Sequence, residues 1–186
     1  MIDGSAIEKA VARIIEAIGD DAAREGLRGT PGRVASAYAE LFSGIGKDPS
    51  EELCSGFEED HRDMVILRDI PFYSMCEHHF LPFFGTAHLG YLPNGKVVGV
   101  SKLARVVDIL AKRPQMQERL TAQIADTIFD AVHPDGVAVI ISAEHLCMTM
   151  RGVHVPGTKV LTLATRGDFK GSTVTREQLV SIVQGS

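Results

Sequence analysis

Apolar residues recur at helical spacing near the start of the chain and gather into short dense runs further on. Ile7, Val11, Ile14 and Ile18 stand at near-helical intervals, which predicts an amphipathic helix over 5–19. Thr30 and Pro31 read as an N-cap followed by proline at the first helical position. Val34, Tyr38, Leu41 and Phe42 mark the buried stripe of a second helix, closed by Gly44. "DMVILRDI" (63–70), "FFGTAHLGYL" (83–92) and "KVVGVS" (96–101) predict strands, the last two joined by a turn at Pro93-Asn94-Gly95. Two helices follow, one over about 102–112 and one from Pro114 to about 132, with Leu120, Ile124 and Ile128 at fourfold spacing. "GVAVIIS" and "TKVLTLAT" predict two more strands, and Thr175 with Gln178 predicts the capping box of a C-terminal helix.

Strands grouped in sequence, with helices between the groups, predict an α+β domain on an antiparallel sheet. A Rossmann fold is disfavoured, because βαβ alternation and a GxGxxG string are both missing. At 186 residues the chain is long enough to bury one core, and no internal linker or repeat divides it. Its longest apolar runs, such as "GVAVII", are too short to cross a membrane. The opening "MIDGSAIEKA" lacks the basic region, apolar core and cleavage site of a signal peptide. Three cysteines, an odd number, argue against a disulfide scaffold; together these features predict a cytoplasmic protein with reduced thiols. A net charge of −5 gives no electrostatic case for nucleic acid or an anionic membrane. A highly negative ligand would need a local cluster of basic groups.

"MCEHHF" (75–80) gathers one of three cysteines and two of seven histidines into six residues. Cys76 and His79 have the Cys-x-x-His spacing that lets a tight turn bring a thiolate and an imidazole onto one ion. Cys147, in "AEHLCMTMRG", is a second thiol. Two cysteines and one histidine leave a tetrahedral ion one ligand short, the pattern of a catalytic site. The alternative is that these cysteines are buried packing residues. His78 adjoins a proposed ligand and could move protons near neutrality, or be a satisfied surface histidine. His145 precedes Cys147 by two residues, so in extended chain both side chains face one side.

"SKLARVVDIL" (101–110) begins with Ser101 as a plausible N-cap, and Lys102 and Arg105 share a face of the first turn. Cations there are unfavourable by roughly 0.3–1 kcal/mol each, since a helix N-terminus already carries partial positive charge. A bound anion would offset that cost; the alternative is two solvated side chains. Arg151, four residues after Cys147, could add a charge. Glu118 lies in the first turn of the following helix, where carboxylates are common; a buried one could accept two hydrogen bonds from an amidine-like edge such as that of guanine.

The ordered blocks "EGLRGTPGRVASAYAELFSG", "FYSMCEHHFLPFFGTAHLGYLPNGKVVGVSKLARVVDILAKR", "QMQERLTAQIADTI" and "AEHLCMTMRGV" resemble the GTP cyclohydrolase I family from about residue 25 to 155. The resemblance implies the tunnelling fold, an antiparallel sheet backed by two helices, as one domain over 1–186. Residues 1–60 would form a mainly helical N-terminal part and 61–186 the tunnelling-fold part. It implies a toroidal homodecamer with active sites at subunit boundaries. It also implies conversion of GTP to 7,8-dihydroneopterin triphosphate and formate by a zinc-activated water. Cys76, His79 and Cys147 would hold one zinc per subunit. His78 would transfer protons as the guanine imidazole ring opens, while His145 and Ser101 would assist the ribose steps. Glu118, with Gln117 beside it, would anchor the guanine edge. Lys102, Arg105 and Arg151 would hold the triphosphate, with Arg33 reaching in from a neighbouring subunit. Relatives of the same fold include a nitrile reductase with a cysteine nucleophile and no zinc, against which three intact ligands argue. A purely structural ring predicts a closed fourth ligand position or missing acid–base residues, and neither is seen here.

Overall fold

The structure, a computed structural model, describes residues 2–169 and residue 181. Two helices open the chain, α1 (Gly4–Ala17) and α2 (Thr30–Leu41), and pack against each other. Asp3 caps α1 by accepting the Ala6 amide at 2.9 Å, satisfying one of the orphan donors of a first turn. The N-cap of α2 is Gly29, so Thr30 is its first helical residue rather than its cap. The helix ends before Gly44, which serves a different purpose. The Gly44 amide donates to Lys112 O at 3.0 Å, and a Cβ at that position would meet Ile109 O at 2.0 Å. Only glycine lets these two backbones approach so closely.

A 3₁₀ turn at Pro49–Leu53 leads into β1 (Gly56–Glu58). β2 (Val65–Cys76) and β3 (Pro82–Leu92) form a long antiparallel pair, from Val65 opposite Tyr91 to Met75 opposite Pro82. β2 runs six residues beyond its predicted end. Ile70, Phe72 and Ser74 point inward while Asp69, Pro71 and Tyr73 face out, the period of two that a half-buried strand requires. Pro71 is tolerated because β2 pairs on its other edge only at Met75 and Cys76. The predicted turn at Pro93–Gly95 is followed by β4 (Lys96–Val98), which pairs with β1 instead of β3. β3 is a central strand whose two edges are already taken.

Helix α3 (Val100–Ala111) has Gly99 as its N-cap. Ser101 therefore lies inside the first turn and does not cap it, and the preceding strand stops at Val98. The next helix does not begin at Pro114. Pro114 and Gln115 form β5, a two-residue strand parallel to the end of β2, and α4 spans Gln117–Val132. Proline biases the residue before it away from helical geometry, and the extended stretch gives Gln115 O to the Glu77 amide at 3.0 Å. β6 (Gly136–His145), a single turn α5 (Leu146–Thr149) and β7 (Lys159–Gly167) complete the described order. The helix expected near Thr175 and Gln178 lies outside the described residues.

The main sheet has the order β5-β2-β3-β6-β7, antiparallel except at β5. α3 and α4 cover one face. Leu103, Val106, Val107 and Leu110 from α3 meet Leu120, Ile124 and Ile128 from α4 over Phe72, Phe83, Leu89, Val139 and Ile141. Each such side chain contributes about 1.5–3 kcal/mol on full burial. This rigid layer holds the ends of β2 and β6, where the chemistry-bearing residues sit.

Candidate metal centre and active site

β2 delivers Cys76 at its last position, and the chain turns back within five residues. Phe80 N–H donates to Cys76 O at 2.8 Å and Cys76 N–H to Leu81 O at 2.9 Å, with Phe80 in the left-handed region at φ 52°. The turn puts His79 back beside Cys76. β6 runs antiparallel to β3 with His145 opposite Phe83, so α5 sets Cys147 against the same turn. The ligand atoms of Cys76, His79 and Cys147 all lie within 4.8 Å of one another. Ligands around a tetrahedral zinc stand roughly 3.5–3.8 Å apart given bonds of 2.0–2.3 Å, so a small contraction closes this set on an ion. Two sulfurs and one imidazole are a donor set suited to zinc. Burial pushes the Cys147 thiol up, and the adjacent Cys76 sulfur pushes it further. A bound cation reverses both effects, because it stabilises the thiolate outright.

His145 stacks face to face on Phe83, with ring centroids 4.7 Å apart. Its Nε2 lies 2.8 Å from Gln117 Oε1. The Gln117 amide nitrogen points at Ile141 O (3.1 Å) and Val160 O (2.9 Å), two acceptors. Gln117 Oε1 must therefore accept, His145 Nε2 carries the proton, and Nδ1 keeps its lone pair. Burial holds the imidazole below its ordinary range, with Glu118 opposing, so His145 is neutral near pH 7. Gln117 is 1% exposed and its polar atoms are engaged within the fold, whereas Glu118 beside it is exposed. Glu118 opens onto a groove of about 430 Å³ between α4 and β7, lined also by Thr121, Thr162 and Arg166.

His78 is exposed on the turn, its Nε2 3.9 Å from Glu77 Oε1. Lys102 and Arg105 share the first turns of α3 as predicted, but both meet Glu52. Glu52 Oε2 accepts from Lys102 Nζ at 3.0 Å and from an Arg105 guanidinium nitrogen at 3.3 Å. Ser101 is exposed at the start of that helix. Arg151 is exposed and close enough to Cys147 to favour its thiolate. Arg33 binds back to its own loop, donating to Thr30 Oγ1 at 3.1 Å and Gly26 O at 3.4 Å.

Residues 7–184 match the family model described as GTP cyclohydrolase I. Proteins named GTP cyclohydrolase 1 from Dehalococcoides mccartyi and Pelotomaculum thermopropionicum are each 58% identical to this chain over 186 residues. They cover 99% and 100% of it, and it covers 98% and 99% of them. One from Halalkalibacterium halodurans is 51% identical over 99% of this chain and 98% of its own length. This chain belongs to the GTP cyclohydrolase I family. An antiparallel sheet backed by α3 and α4 is the tunnelling fold implied by resemblance to GTP cyclohydrolase I.

For a GTP cyclohydrolase I chain, the sequence motifs understate how the turn carrying Cys76 and His79 is held. Glu77 and Arg119 escaped the sequence reading, yet they form a two-pronged ion pair, one prong at 3.0 Å, that ties the turn to α4. The Arg119 guanidinium holds the Glu77 carboxyl below the usual carboxylate range. A signal was available: Arg119 places a cation in the first turn of a helix, against the dipole, as Lys102 does in α3. Glu52 left no comparable mark, since its two partners lie 50 and 53 residues away.

Proposed function

We propose that this protein converts GTP and water to formate and 7,8-dihydroneopterin triphosphate, the first step toward folate-type pterins. The observation that carries the reading is the convergence of Cys76, His79 and Cys147 within 4.8 Å at the ends of β2 and β6, with His78 and His145 beside them. Those three residues would hold zinc, which supplies a Lewis acid able to activate water toward guanine carbon 8. His78, exposed on the turn, takes and returns the proton at nitrogen 7 as the imidazole opens. His145 presents a neutral ring whose proton is fixed on Nε2 by Gln117, so Nδ1 is the atom able to accept a proton. With Ser101 it assists ribose opening and the rearrangement that follows. Glu118 accepts hydrogen bonds from the guanine edge in the groove beside α4. Gln117 acts on substrate through His145. Lys102, Arg105 and Arg151 bind the triphosphate, with α3 contributing its N-terminal amides.

One domain spans the chain in this reading, working in the cytoplasm as a toroidal homodecamer whose subunit boundaries complete each site. Arg33 would then face a neighbour's triphosphate. Among the described residues no helix is long and apolar enough to cross a membrane. Incubation of the purified protein with GTP tests the reaction: formate and a pterin, fluorescent after oxidation, should appear in equal amounts. GTP loss yielding only guanosine phosphates would refute it.

A further inference from the structure

The anion-binding end of α3 already holds an anion, and that anion belongs to the chain. The 3₁₀ turn carrying Glu52 is well braced. Asp48 caps it through the Ser50 amide and hydroxyl at 2.9 and 2.7 Å, and Leu53 is fully buried under it. Arg113 ties the preceding loop by donating to Gly44 O and Lys47 O at 3.0 and 2.7 Å. From this base one Glu52 oxygen reaches both Lys102 and Arg105. Two cations and one carboxylate leave a single formal positive charge where two stand in the sequence.

We infer that Glu52 is a tethered competitor for the phosphate-binding cations, which a polyphosphate displaces and a single phosphate does not. The inference rests on the assignment of Lys102 and Arg105 to the triphosphate. A tethered group acts at an effective concentration in the millimolar range, so a ligand must outbid it. A monophosphate offers the two cations little more than Glu52 already does. A triphosphate spans both at once and also meets the α3 amides, so it wins the exchange. Glu52 thereby lowers the affinity for every anion but costs the small ones their binding altogether. The fraction of molecules with both cations available divides directly into the apparent dissociation constant.

The experiment is calorimetric titration of the metal-loaded protein with inorganic tripolyphosphate and orthophosphate, and with GTP in a His78→Ala background that slows its turnover. Wild type is compared with Glu52→Gln, Glu52→Asp and Lys102→Ala. Glu52→Gln keeps the shape and removes the charge; it should bind tripolyphosphate and GTP about three- to tenfold more tightly and bring orthophosphate binding into the measurable range. Glu52→Asp keeps the charge on a shorter stem and should tighten binding less, which preserves the test should Glu52→Gln fold poorly. Weaker or unchanged tripolyphosphate affinity in both Glu52 variants, with Lys102→Ala weakening it, would overturn the inference alone and leave Glu52 a structural brace. Unchanged affinity in Lys102→Ala would overturn the triphosphate assignment and the inference with it.

Discussion

Gln117 sets the proton on His145, and His78 stands where no such constraint operates; the two histidines are therefore built for different work. His145 is stacked, half-buried and fixed in one tautomer. His78 is exposed on the turn beside His79, a candidate ligand. Replacing His78 by Ala should leave zinc and GTP binding in place and lower turnover by roughly 10²–10⁴, the usual worth of a positioned acid–base group. Replacing His145 by Ala should let the guanine ring open and then stall, so that a ring-opened or formylated species accumulates without pterin. Following guanine loss, formate and pterin separately, with zinc measured in each variant, distinguishes the two. At this scale Cys76, His79 and Cys147 were legible as a candidate cluster, because scarce residue types recur at short spacing, and they do converge; the roles of His78 and His145 rest on the family resemblance. Gln117 was legible only as a neighbour of Glu118. Its inward direction follows from its place three residues before Leu120 and four before Thr121, both buried on α4, whereas the acceptors it meets on β6 and β7 are set by tertiary contact.

Strand β3 holds the sheet together, and its pairing with β6 depends on Gly85. A Cβ at Gly85 would lie 2.0 Å from Ser142 O, closer than any side chain can approach. Gly85→Ala should therefore spread the β3–β6 ladder and destabilise the protein by about 2 kcal/mol or more, read as a lower urea midpoint. β2 needs a different support. Its register slips between Leu67 and Ile70, with Asp69 at φ 57°, and the Asp69 amide donates to Nδ1 of buried His88 at 3.2 Å. Burial lowers the His88 pKa, despite Asp69 nearby. Below about pH 6.5 the unfolded chain binds a proton that folded His88 refuses. The stability this contributes is complete above that pH and is lost as pH falls toward the folded value. The depressed carboxyls Glu52 and Glu77 act in the same direction but only below about pH 4.5. Urea midpoints should thus fall between pH 7.5 and 5.5, and fall less in His88→Gln. An equal fall in both proteins would remove His88 from the account. The four longer helices and most strands were legible from sequence pattern, but the single turn α5, where the spacing of His145 and Cys147 suggests extended chain, was not. The bulge, the two-residue β5 and the departure of β4 to a second sheet were not, since each depends on which edges are already occupied.

The molecule presents apolar groups outside its core in a pattern one chain does not explain. Lys159, Leu161 and Leu163 share the outward face of β7, Leu161 and Leu163 are exposed, and Tyr73 stacks on Phe84 across β2 and β3 with Tyr73 exposed. β7 pairs only with β6 among the described residues. In the proposed ring these groups are covered by neighbours, so Leu161→Glu should yield smaller assemblies by sedimentation and lose turnover with them. A ten-chain particle with wild-type turnover would detach β7 from assembly. Element order alone reached the α+β class, while the proposed ring rests only on resemblance, because a single chain's pattern does not say what covers an exposed strand. In the proposed reaction Cys76, His79 and Cys147 hold the zinc on which GTP opening depends. Stripping the metal with a chelator, then adding zinc back while measuring bound metal and formate release together, decides whether they do. Formate release should vanish in the stripped protein and return in proportion to zinc up to one ion per chain, and Cys147→Ser should neither bind the ion nor recover. Full formate release from metal-free protein, or stoichiometric zinc retained by Cys147→Ser, would overturn the assignment of these three residues to a catalytic zinc.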